Sequence, residues 1–124
     1  MYEIKEAKYG FELTFAGSID VKEMTQWLAD SNIALRKMVG KKFQVLIHMD
    51  ELKSLQEAAK KILIDGQAIY KRIGMTRSAV IVPNLLVKMQ MENTAKASDI
   101  HEYERYFTKD KIDNAMNWIR EGKE

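Results

Sequence analysis

Phe11, Leu13 and Phe15 alternate with Glu12 and Thr14, so residues 11–16 read as a strand with one apolar face. Residues 2–7 read as its partner. The "AKYG" between them ends in Gly10, which suits a tight turn, so an antiparallel hairpin is predicted. The period then changes. Met24, Trp27, Leu28, Ser31, Leu35, Met38 and Val39 fall on one helical face, opened by Asp20 with Glu23 three residues on and closed by Gly40. "FQVLIHM", 43–49, is almost continuously apolar and suits a central strand ended by Asp50 and Glu51.

A long helix is predicted over roughly 54–73, with Leu55, Ala58, Ala59, Ile62, Gly66, Ile69, Tyr70 and Ile73 as its stripe. Glycine inside a helix costs about 1 kcal/mol against alanine, so Gly66 is expected to allow close approach to a strand. "SAVIVP", 78–83, reads as a buried strand. Asn84 then caps a third helix, in which Leu86 and Met89 are expected to face the core while Val87 and Met91 point elsewhere. "EYERYF" reads as the last strand, and a final helix runs from Thr108 as N-cap to Gly122 beyond its end. The order β-β-α-β-α-β-α-β-α predicts the α/β class. The expected fold is one domain over 1–124, with about four helices on a mixed five-stranded sheet. The later strands should be mainly parallel, joined by right-handed crossovers.

Composition narrows the function classes. With 124 residues there is room for one core, and 46% hydrophobic against 31% charged residues is a globular balance. The absence of cysteine removes disulfides, thiolate metal sites and cysteine nucleophiles together. "MYEIKEAKYG" has no apolar run of a signal peptide, and no stretch approaches a membrane span, so a cytoplasmic protein is expected. A net charge of +2 gives no ground for a nucleic-acid partner.

Little in the chain has the spacing of chemistry. His48 and Asp50 lie two apart on one strand and would share a side, which is a general-base arrangement or simply a partly buried histidine. His101 stands alone before the last strand. The six glycines form neither a dinucleotide nor a Walker pattern, and no zinc spacing occurs, so no catalytic residue, metal or cofactor is assigned. In open α/β sheets, ligands sit beyond the carboxyl ends of the strands. That rule nominates Asp50, Ser54, Asn84 and Thr108, with Glu51 and Lys109 beside them, for an anion or small ligand, or else as helix caps. On the long helix, Lys60, Lys61, Lys71 and Arg72, with Lys53 before them, surround Ile64 on the side away from the apolar stripe. Such a face docks a protein partner, touches an anionic membrane surface, or is simply solvated. The third helix is apolar on two sides, which points to a pocket or to a homodimer interface.

The C-terminal pattern Arg105, Tyr106, Phe107, then Ala115, Trp118 and Ile119, is similar to the ending of the SpoIIAA-like group. "YGFELTFAGSID" and "SAVIVP" also sit where that group has its hairpin and a core strand, so the resemblance spans nearly the whole chain. The group has the STAS-type fold of anti-sigma-factor antagonists, related in shape to CRAL-TRIO lipid-transfer domains. The resemblance implies a bacterial binding or regulatory domain without enzymatic activity that acts by docking a protein. A carrier or sensor of a small apolar or anionic ligand is the alternative, and an enzyme using His48 and Asp50 a weaker one. In the antagonists, an Asp-Ser-Ser-Gly-like motif at a helix start carries a phosphorylatable serine. Here the region reads "HMDELKSLQEA", which keeps Ser54 but lacks the Ser-Gly pair. The aromatics of "EYERYFTKDKIDNAMNWIRE" are expected to close the fold, because Tyr103 and Tyr106 point to opposite faces of their strand.

Overall fold

The computed structural model describes residues 1–124. In chain order the elements are β1 (Tyr2–Ala7), β2 (Gly10–Phe15), β3 (Gly17–Ile19), α1 (Val21–Ala34), β4 (Phe43–His48), β5 (Leu52–Leu55), α2 (Glu57–Ile73), β6 (Met75–Ile81), α3 (Leu85–Ala97), β7 (Glu104–Phe107) and α4 (Ile112–Glu121). A five-stranded sheet runs β1-β2-β4-β6-β7, antiparallel at β1–β2 and parallel thereafter. The tight crossing at Gly10 has a physical cause: its φ is +149°, and a Cβ there would lie 2.2 Å from the Gln44 carbonyl oxygen.

The pleat sorts side chains into two cores. Phe11, Leu13, Phe43, Val45, Ile47 and Val80 join the main cluster beneath α1, α2 and α3. Leu46, Ala79, Ile81 and Phe107 face the other way and are covered by Ala115, Trp118 and Ile119 of α4. The Trp118 indole N–H donates to the Ser78 carbonyl at 2.9 Å and the Tyr103 carbonyl at 3.2 Å, and the Arg105 guanidinium lies 4.3 Å over its ring. The C-terminal aromatics thus close the fold from both faces of β7 and share no single surface.

Four local expectations are corrected. Residues 52–55 are not helical: they form β5, which pairs parallel with β3 in a separate two-stranded sheet, and α2 starts at Glu57. Pairing with β3 and burial of Leu52 override local helix preference there. Val39 is not on the α1 stripe, because α1 tightens into a 3-10 turn at Leu35–Met38 and the chain turns extended at Val39. The buried face of α3 carries Val87, Met91, Thr94 and Ala95, whereas Leu85, Leu86 and Met89 lie outside. Both sets have helical spacing. The polar groups break the tie: Gln67 of α2 donates to the Thr94 hydroxyl at 3.4 Å and accepts from the Ser98 hydroxyl at 2.9 Å.

Gly66 gives the fourth correction. It admits the ring of Trp27 from α1, not a strand; a Cβ there would sit 2.3 Å from the indole. Gly66→Ala should therefore destabilise the protein by about 1–2 kcal/mol, the overpacking strain exceeding the gain in helix propensity. Urea unfolding checks this, and a stabilised variant would contradict the contact.

Candidate functional site

The carboxyl ends of β4, β6 and β7 converge on a shallow depression lined by Asp50, Glu51, Val82, Pro83, Thr108, Lys109 and Asp110. Asp50 is the most recessed of its charged residues, and Lys109 Nζ lies 3.8 Å from its Oδ2. Thr108 does not cap α4. It precedes a 3-10 turn at Lys109–Lys111, and its hydroxyl donates to the Asp110 carboxylate, which holds that carboxyl below its ordinary range. Three carboxylates against one ammonium make this end of the sheet a poor setting for an anion. Asn84 stands next to Pro83, and its Oδ1 accepts the Val87 N–H at 2.9 Å as the α3 cap. Ser54 is elsewhere: on β5 rather than at a helix start, it donates to the Ser18 hydroxyl at 3.1 Å. Sequence position therefore brings Asp50 and Thr108 into one hollow, leaves Asn84 at its margin and takes Ser54 away.

At the rim next to Asn84, the first turns of α3 hold Leu85, Leu86 and Met89 in solvent, with 68%, 65% and 53% of their surface exposed. Three large apolar side chains on adjoining helix positions form a continuous patch. The periodic signal that marked α3 as apolar on two sides pointed to this patch, although with the two faces exchanged.

His48 and Asp50 do not form a pair. His48 Nε2 lies 2.7 Å from Glu12 Oε1, across the β2–β4 pairing, on the part of the sheet that α4 leaves open. Asp50 turns to Lys109 instead. The basic face is also partly neutralised. Lys60 pairs with Glu57 at 2.9 Å, and Lys71 with the carboxylate of Asp99 at 3.0 Å. Lys61 and Arg72 remain exposed, Ile64 is half-buried, and Lys53 belongs to β5 rather than to the helix.

A buried carboxyl is the feature that sequence reasoning missed. Glu104 is 2% exposed. Its oxygens accept the Ser78 hydroxyl at 2.6 Å and the Tyr106 hydroxyl at 2.7 Å. Burial raises its pKa to about 7, although both hydrogen bonds pull the other way. It borders a core void of about 20 Å³, lined also by Leu13, Phe15, Trp27, Tyr70 and Ile100. Strand alternation places Glu104 and Tyr106 on one side, but nothing in "EYERYF" says that side is the main core.

A mostly parallel sheet opened by an antiparallel hairpin, with three helices on one face and one on the other, defines a small α/β domain, here with an apolar patch at the start of α3. The chain belongs to the SpoIIAA-like family, whose profile matches residues 11–120. Solved structures share the fold. An uncharacterised protein of the DUF3478 family from Shewanella loihica PV-4, with a SpoIIAA-like fold, has 18% identity and a TM-score of 0.69, over 96% of this chain and 92% of its own. The anti-sigma factor antagonist SpoIIAA in its unphosphorylated form has 10% identity and a TM-score of 0.65, over 98% and 99%. The Bacillus cell fate determinant SpoIIAA in its phosphorylated form has 11% identity and a TM-score of 0.63, over 94% and 99%. No curated protein matches the sequence. No helix is long and apolar enough to cross a membrane.

Proposed function

We propose that this chain is a non-enzymatic regulatory domain that docks a partner protein through the first turns of α3. The observation that carries this reading is the solvent-held patch of Leu85, Leu86 and Met89, which follows directly on Pro83 of the polar hollow that holds Asp50, Thr108 and Lys109. An apolar centre with a polar rim is the anatomy of a transient protein interface. The family supports it, since SpoIIAA itself is an anti-sigma factor antagonist. Control of this chain through Ser54 finds less support, because that side chain is on β5, away from both the patch and the start of α2.

The ligand-carrier reading has less behind it. The core void of about 20 Å³ has room for about one water molecule, far below an acyl chain.

A photo-crosslinker placed at Leu86 and expressed in the host should give one discrete protein adduct. Leu85→Asp with Met89→Asp should abolish it while leaving thermal unfolding nearly unchanged, because both side chains are more than half exposed. The same adducts from a crosslinker at exposed Thr25 would sink the proposal.

A further inference from the structure

β1 is an outer strand of the main sheet and pairs only with β2. The N-terminal amine of Met1 donates to the Ala16 carbonyl at 2.9 Å, and the Ala16 N–H donates back to the Met1 carbonyl at 2.8 Å. That exchange fixes which pairs along the hairpin are hydrogen-bonded, because they alternate in an antiparallel ladder. Glu3, Lys5 and Ala7, opposite Thr14, Glu12 and Gly10, turn their backbone groups toward β2. Tyr2, Ile4 and Glu6 turn theirs outward, where no second strand reaches them. The outward edge opens into a groove between β1 and α1, lined by Tyr2, Ile4, Glu6, Asp30, Ile33 and Lys37. Ile33 is 59% exposed there.

A free edge of this kind accepts a strand. The residues of β1 select which one. We propose that the occupant is β1 of a second copy of this chain, antiparallel, about a two-fold axis through Ile4 perpendicular to the sheet. Tyr2 then lies opposite Glu6 of the second copy and Ile4 opposite Ile4, so the outward-turned N–H and C=O groups of both edges meet one another. Glu3 lies opposite Lys5 of the second copy, and symmetry repeats that charge pair. Sliding the register by two residues either way places Glu3 opposite Glu3 or Lys5 opposite Lys5, which repel. The self-complementary order Glu3-Ile4-Lys5 thus favours one register and one closed pair. Because the axis is perpendicular to the sheet, both α1 helices stay on one side, and the two Ile33 side chains flank the joint. The product is a continuous ten-stranded sheet. The α3 patch lies away from this edge, so the pairing is independent of the docking proposal.

Light scattering over a dilution series should give a mass moving from two chains to one. The Tyr2, Ile4 and Glu6 amides should lose hydrogen-exchange protection on dilution. Glu3→Lys turns two attractive pairs into two repulsive ones and should raise the dimer dissociation constant about tenfold. Adding Lys5→Glu to it should restore the wild-type value. Both positions are exposed, so the fold tolerates the exchange. A monomer at every concentration overturns the proposal. So does a dimer that Glu3→Lys leaves untouched, or an edge occupied only by a strand of another protein.

Discussion

Glu104→Gln should stabilise the protein by up to about 3 kcal/mol at pH 8, and by almost nothing at pH 4.5. The carboxyl is buried, and burial raises its pKa from 4.5 to about 7 in the folded chain. Between those values the folded state holds a proton that the unfolded state has released. Stability is therefore full below about pH 4.5, falls as pH rises, and levels off above about 7. The gap between the two pKa values corresponds to about 3 kcal/mol. Glutamine keeps the shape of the protonated acid. Its carbonyl accepts from Ser78, its amide donates to the Tyr106 oxygen, and Tyr106 keeps the Met91 carbonyl, 3.3 Å away, as its own acceptor. Urea unfolding of both proteins from pH 4.5 to 8 tests this; parallel stability curves would show that Glu104 is ionised without penalty.

The largest loss is expected at Trp27. Trp27→Ala should cost about 4 kcal/mol, the range for deleting a fully buried large aromatic. The indole stacks on Tyr70 at 5.8 Å with planes 2° apart and meets Phe15 edge-on at 5.4 Å. Gly66 has no side chain where the ring sits, so it offers nothing to fill the void. Trp27→Phe should cost far less. The indole N–H has no hydrogen-bond partner, and phenylalanine removes that unpaired donor while keeping a ring against Tyr70. Denaturant midpoints for the two variants decide the matter: equal losses would mean that stacking and the unpaired N–H are both irrelevant.

The hairpin, β4 and the order of the main elements were legible because each rests on a local period. Phe11, Leu13 and Phe15 alternate, and all three are buried. What was not legible depends on contacts between distant segments. Ser54 looked like a helix opener, but pairing of Leu52–Leu55 with Gly17–Ile19 made it a strand residue. On α3, two apolar sets competed at equal spacing, and Gln67, 27 residues before Thr94, decided between them. Gly66 announced a close approach without naming Trp27 as its cause. For the candidate site, the strand-end rule nominated Asp50 and Thr108, which the fold places in one hollow. It had no means of finding Leu85, which the fold leaves outside, or Glu104, whose burial depends on which face of β7 meets the main core.

Leu46, Ala79, Ile81 and Phe107 have α4 as their cover. Translation makes those four side chains before it makes residues 112–121. A chain cut after Lys111 would keep every strand of the sheet, yet carry a bare apolar strip across β4, β6 and β7. Ten residues thus stand between a sealed sheet and one open to chaperones or to aggregation, and any event that detaches α4 without unfolding the rest exposes the same strip.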